Sequence, residues 1–237
     1  MIDTHAHIDS TLCDIDGEVI NAVILSGANL ETSKNNLQLA DKYPFLYPAV
    51  GIHPTELVDD INLLEELVKY PKVIAIGECG LEFIGDFDKE KQEEYFRKQI
   101  ELSQKYNKPL IIHARKAMDE TIQILSEYKD LRGVIHCYSG GKKRIKKVLE
   151  LSGEWYFGID GNLTYEVGLE EVVKNIPKDR LVAETDSPLL TPEPFRGQEN
   201  KPEYVKYVYQ KIADIWGDSF EDTEKILDNN AKRLFTI

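Results

Sequence analysis

Met1-Ile2-Asp3-Thr4-His5-Ala6-His7 opens the chain. Met1–His5 reads as a short buried strand. It runs into His-Ala-His where an open, doubly wound sheet would carry a glycine-rich turn. Working outward, seven more short apolar runs rich in β-branched residues recur: Ala22–Ser26, Leu46–Gly51, Val73–Gly77, Leu110–His113, Gly133–His136, Trp155–Ile159 and Leu181–Glu184. None alternates strictly, as strands of a parallel sheet covered on both faces do not. Between them lie amphipathic stretches with helical spacing: Ser33–Lys42, Leu57–Lys69, Lys89–Tyr106, Ala117–Tyr128, Lys143–Leu151 and Leu169–Asn175. Tyr204–Trp216 and Phe220–Leu234 follow the eighth strand. Eight strands alternating with helices predict a TIM (β/α)8 barrel, one domain over residues 1–237.

The composition agrees. The chain has 237 residues, 42% hydrophobic and 30% charged, an ordinary globular mix without low-complexity segments or linkers. The net charge of −13 argues against a protein that coats duplexes non-specifically, yet permits an enzyme whose local charge or metal meets a polyanion. No apolar run approaches the roughly 18 to 20 residues of a membrane helix, and the N-terminus lacks the character of a secretory signal. Cys13, Cys79 and Cys137 form no CxxC and cannot all pair. A cytoplasmic protein with no membrane partner is expected. No obligatory protein partner is evident.

All five histidines, His5, His7, His53, His113 and His136, fall at or just beyond the C-terminal end of a predicted strand. In a barrel those ends form the mouth. His5 and His7 stand two apart and share a face, so two imidazoles can meet one cation; a surface pair is the plain alternative. Asp3 and Asp9 flank them, Asp9 as orienter or turn cap. Glu78 ends an apolar strand, where a carboxylate is costly unless paired or metal-bound; it is the candidate bridge, with an ion pair as the alternative. Cys79 and Cys137 each follow a candidate ligand and should turn away to pack. Glu184 and Asp186 share a face on the last strand. Asp186 is the metal ligand or general base, and Glu184 an orienter or salt-bridge partner. His5, His7, Glu78, His113, His136 and Asp186 together would satisfy two ions about 3.5 to 4 Å apart. Two dications against two carboxylates favour phosphoryl or carboxyl oxygens.

These motifs, in this order, resemble the TatD family of metal-dependent hydrolases, an amidohydrolase-like branch of the TIM barrels. The likeness runs from Ile2 to about Phe235. It rests on Ile2-Asp3-Thr4-His5-Ala6-His7-Ile8-Asp9, Gly51-Ile52-His53-Pro54, Gly77-Glu78-Cys79-Gly80-Leu81-Glu82, Pro109 to Arg115, His136-Cys137-Tyr138-Ser139-Gly140, Glu184-Thr185-Asp186-Ser187-Pro188, and Arg196-Gly197 with Asn200-Lys201-Pro202. The resemblance implies two divalent cations (zinc, magnesium or manganese). His5, His7, Glu78 and Asp186 would hold one, and Glu78, His113 and His136 the other. His53 would contact a substrate phosphate, and Arg196 would bind phosphate at the rim or brace Asp186. It further implies a metal-dependent deoxyribonuclease, typically a 3′→5′ exonuclease on single-stranded DNA. Some relatives are linked to D-aminoacyl-tRNA deacylation. Glu82 departs from the family pattern, which has Asp there.

The expected reaction is attack of an activated water on a phosphodiester, with Asp186 as general base, Glu78 bridging and His53 placing the phosphate. The alternatives are ester or amide hydrolysis at the same centre, as on D-aminoacyl-tRNA, and a metal-bearing binding module without turnover. Lys142, Lys143, Arg144, Lys146 and Lys147 form a basic run that either tracks a nucleic-acid backbone or is a solvated helix face.

Overall fold

A computed structural model describes residues 1–8, 15, 19–58 and 60–237; Asp9 and Cys13 lie outside the described residues. Eight parallel strands follow one another around a single sheet in chain order. They are β1 (Ile2–Ala6), β2 (Ala22–Leu25), β3 (Leu46–Val50), β4 (Ala75–Glu82), β5 (Leu110–Arg115), β6 (Leu131–Ile135), β7 (Gly153–Ile159) and β8 (Leu181–Ala183). The sheet closes on itself just past β8: Asp186 N donates to His5 O (2.9 Å) and His7 N to Ser187 O (2.8 Å). This is the predicted TIM (β/α)8 barrel.

The helices are α1 (Leu30–Lys42), α2 (Leu64–Val68), α3 (Lys89–Tyr106), α4 (Met118–Ser126), α5 (Lys142–Leu149), α6 (Leu169–Asn175), α7 (Val205–Trp216) and α8 (Phe220–Phe235). Their starts follow local chemistry. Asn29 and Thr32 form a capping box on α1, Asp88 accepts from Lys91 N at the start of α3, and Ser219 accepts from Asp222 N at α8.

Two apolar layers result. The larger lies between barrel and helices. The smaller draws on every strand, from Ile2 in β1 to Val182 in β8, and is closed by Ala231, Leu234 and Phe235 of α8. It fills the barrel's lower half, and the candidate site residues stand above it, at or just past the strand C-termini.

Several expected boundaries move by one to three residues, and three elements change more or bear on the site. The helix predicted over Leu57–Lys69 is a short 3-10 turn, Ile61–Leu63, followed by α2. Asp60 accepts from Asn62 N and starts the turn there, while Pro54 lacks an N–H and Pro71 disfavours helix at Tyr70. The fourth strand, expected to stop at Gly77, runs on to Glu82 because Cys79, Gly80, Leu81 and Glu82 pair with β5. The eighth stops at Ala183, short of Glu184.

Candidate metal centre

Strand alternation alone does not deliver these side chains. Ile2 lies in the inner cluster, so strict alternation would send His5 outward. The β1–β2 register slips between Asp3 and Ala6, and His5 turns inward while Ala6 joins the outer core. A second slip, between Ile76 and Cys79, does the same for Glu78 and sends Cys79 outward. His113 and His136 need no slip, standing two residues above the inner-core Ile111 and Val134.

The six mouth residues then form two donor sets. In the first, His5 Nε2 lies 3.0 Å from His7 Nε2, 3.3 Å from Glu78 Oε2 and 3.4 Å from Asp186 Oδ1. His7 Nε2 is 3.2 Å from Glu78 Oε2 and 3.6 Å from Asp186 Oδ1. In the second, Glu78 Oε1 is 2.9 Å from His113 Nδ1 and 2.7 Å from His136 Nε2, and the two nitrogens are 3.2 Å apart. A tetrahedral ion with bonds of about 2.1 Å spaces its donors about 3.4 Å apart. Both sets fit a cation, and Glu78 offers one oxygen to each.

His53 sits beside them, its Nε2 3.5 Å from Glu78 Oε1 and its ring edge-on to His113. His53, Glu78 and His113 are also close enough to share an ion. The hydrogen bonding assigns His53 otherwise: Thr55 N donates to Nδ1 (3.2 Å), so the proton of the neutral ring is on Nε2, which then donates rather than ligates. The segment before it is fixed by Gln99 of α3, which accepts from Ile52 N and donates to Ile52 O.

Two of the candidate ligand histidines, His5 and His136, have an outer neighbour at Nδ1. His5 Nδ1 meets Ser26 Oγ at 3.1 Å. His136 Nδ1 is 3.5 Å from Glu184 Oε1, outside hydrogen-bond geometry, so Nδ1 remains a buried polar atom without a partner. That orphan fits a ring whose Nε2 lone pair binds an ion and whose Nδ1–H then turns to Glu184. Glu184 Oε1 is anchored by Cys137 N at 2.5 Å. No sequence motif marks Ser26 or Thr55. Ser26 ends a predicted strand as the histidines do, a signal that was there to read.

Arg196 is exposed and lies over the Tyr165 ring at 4.0 Å. It does not brace Asp186, whose ion-pair partners among the described residues are His5 and His7. Cys79 is buried in the outer core, and neither it nor Cys137 joins a donor cluster among the described residues. Of the basic run, Arg144 and Lys147 pair with Asp119 of α4 and Lys146 approaches Glu150.

The six side chains shift one another's protonation strongly. Burial and the charge of His136 lower His5 to about 4, and burial lowers His113. For His7, burial is outweighed by the Glu78 hydrogen bond and the charges of Glu78 and Asp186, so its pKa rises. His136 is raised well above the usual range, because Glu78 and Glu184 outweigh its burial. Glu78 is lowered far below the carboxylate range despite burial, by His136 and His5. Burial lifts Asp186 to about 7 against the pull of His136 and His7.

The TatD-related DNase family matches residues 2–236. An uncharacterized metal-dependent hydrolase of Bacillus subtilis, YabD, is 37% identical over all of this chain and 99% of its own length. The 3′-5′ ssDNA/RNA exonuclease TatD of Citrobacter rodentium is 32% identical over 92% of this chain and 88% of its own. Among solved structures, the TatD homologue YjjV of Escherichia coli superposes with a TM-score of 0.90 at 28% identity, covering 100% of this chain and 98% of that one.

Proposed function

The chain belongs to the TatD-related DNase family and is a metal-dependent hydrolase, and from that premise we propose that it is a deoxyribonuclease that degrades single-stranded DNA from the 3′ end with two divalent cations. The observation that carries this reading is Glu78, whose Oε2 belongs to the set of His5, His7 and Asp186 and whose Oε1 belongs to the set of His113 and His136. A relative at 32% identity is named as an exonuclease of single-stranded DNA and RNA. The imidazole-rich donors favour zinc over magnesium or manganese.

The cations supply Lewis acidity, lowering the pKa of water and drawing charge from phosphoryl oxygens. The protein's own groups do the rest. Asp186 Oδ1 faces His5 and His7, while Oδ2 has no hydrogen-bond partner among the described residues and takes the proton of the attacking water. His53 Nε2–H, held in that tautomer by Thr55 N, donates to a non-bridging phosphate oxygen. His7, with 30% of its side chain exposed, keeps the first set open to substrate. Arg196, stacked on Tyr165 at the rim, meets the next phosphate. No described helix is long and apolar enough to cross a membrane, and Cys79 and Cys137 are free. The free thiols support a cytoplasmic enzyme.

The test is cleavage of 3′- and 5′-labelled single-stranded DNA with EDTA and with added zinc, magnesium or manganese, beside a D-aminoacyl-tRNA. Metal-dependent release of mononucleotides from the 3′ end is expected. No cleavage with any metal, or preferred hydrolysis of the aminoacyl ester, overturns the reading.

A further inference from the structure

Glu82 is not one of the six mouth ligands, yet it is a buried carboxylate with only 5% exposure, at the last residue of β4. Its backbone is clamped on both sides by one side chain of α3: Glu82 N donates to Gln92 Oε1 (3.0 Å), and Gln92 Nε2 donates back to Glu82 O (3.0 Å). Gln92 is itself buried. One carboxylate oxygen, Oε1, is occupied by Ile84 N at 2.7 Å. The other, Oε2, meets His113 Nε2 at 3.3 Å. The exposed Arg115 lies 3.9 Å from that same oxygen.

We propose that Glu82 is the positioning residue of His113, fixing its ring so that Nδ1 faces the second cation. A neutral imidazole carries one proton, and the nitrogen without it is the ligand. An acceptor at Nε2 holds the proton there and leaves the Nδ1 lone pair toward Glu78 Oε1 and His136 Nε2, 2.9 and 3.2 Å away. Without Glu82 the ring is free to tautomerise or to flip about its axis, and the second donor set loses one of its three members. The clamp by Gln92 and the bond from Ile84 N leave the carboxylate one orientation, so the ring inherits its setting from α3. Glu184 has the corresponding place beside His136. The two histidines of this set are thus backed by carboxylates, while His5 of the other set is backed by the Ser26 hydroxyl.

The inference rests on the two-cation reading, and its test is kept separate from nuclease activity. Zinc binding to the full-length chain is titrated for wild type, Glu82→Ala and Glu82→Gln, and the tautomer of His113 is read from long-range 1H–15N spectra of zinc-loaded protein. Wild-type His113 is expected to carry its proton on Nε2. Glu82→Gln has one acceptor oxygen for two donors; with it held by Ile84 N the amide NH2 faces His113 Nε2, so the His113 proton should leave Nε2 and the second ion should bind more weakly than in wild type. Glu82→Ala should bind the first ion as wild type does and the second about 10- to 100-fold more weakly. A wild-type proton on Nδ1, or both ions bound at full strength by Glu82→Ala, overturns the assignment. If Glu82→Ala does not fold, the wild-type tautomer and the Glu82→Gln titration decide. A wild type that binds one ion would tell against the two-cation reading, while the His113 spectrum would still score Glu82.

Discussion

Asp3 in β1 and Thr185 just past β8, 182 positions apart, are joined by two hydrogen bonds: Thr185 N donates to Asp3 Oδ1 (2.9 Å) and Thr185 Oγ1 to Asp3 Oδ2 (2.6 Å). The same Asp3 Oδ1 accepts from His5 N at 3.2 Å. One buried carboxylate therefore ties the strand that carries His5 to the segment that carries Asp186. Thr185→Val removes the Oγ1 donor and leaves Asp3 Oδ2 without its partner. The expected cost is about 1–3 kcal/mol of stability, measured as a lower urea midpoint with an unchanged slope.

Asp186→Asn keeps the shape of the side chain and removes its basicity. Turnover on single-stranded DNA should fall about 10²- to 10⁴-fold. Glu78→Gln weakens the oxygens common to both donor sets, and the zinc content of the purified protein should drop along with activity. Circular dichroism of both variants should match wild type, since neither side chain belongs to the apolar layers. Retained nuclease activity in either one would contradict the roles given to them.

Metal affinity should rise with pH. A cation must displace protons from its ligands. In the metal-free protein His7 and His136 hold theirs above the ordinary histidine range, and Asp186 holds its own up to about 7. His5, lowered to about 4, and His113, also lowered, have none to lose near neutrality. Binding should strengthen as the pH rises through about 7, where Asp186 gives up its proton, and continue to strengthen above it as His7 and His136 lose theirs, with proton release that shrinks as each group deprotonates. Zinc calorimetry in buffers of differing ionisation enthalpy reads both quantities.

Gly158 in β7 makes room for Glu184, since a Cβ at that position would overlap the Glu184 carboxylate. Gly158→Ala should displace Glu184 from beside His136 and destabilise the fold by about 1–3 kcal/mol. Weaker zinc binding should accompany the lower melting temperature. A variant with the loss of stability and unaltered zinc affinity would show that Glu184 does not support His136.

Only part of the basic run of α5 is available to a ligand. Arg144 and Lys147 are held by Asp119 and Lys146 lies 3.7 Å from Glu150, which leaves Lys142 and Lys143, both exposed, at the helix start. If these two meet phosphates, Lys142→Glu with Lys143→Glu should weaken binding to single-stranded DNA. It should also flatten the salt dependence by about 1.4 in log K against log salt. Equal slopes for wild type and variant would identify the run as a solvated helix face.

The barrel was legible because its evidence is local. Eight buried strands, each needing apolar side chains on both faces, leave eight recognisable runs. The ligand types were legible too, since His5, His7, His113, His136, Glu78 and Asp186 stand where a barrel has its mouth. Glu82 closes the Gly77-Glu78-Cys79-Gly80-Leu81-Glu82 motif, but its partner His113 is 31 positions away and on another strand. The helix expected over Leu57–Lys69 shrank because apolar spacing says nothing of the Asp60 cap that begins the turn.

The amino-acid order by itself determined the strand count, the barrel and the residue types gathered at its open end, because those depend on periodicity and on which side chains tolerate burial. Only the tertiary structure decided which way His5 and Glu78 face. Alternation from Ile2 and Ala75 would turn both outward, and two register slips against neighbouring strands turn them in. A slip is a relation between two strands, set by hydrogen bonds between residues far apart in the chain, and no pattern within one strand contains it.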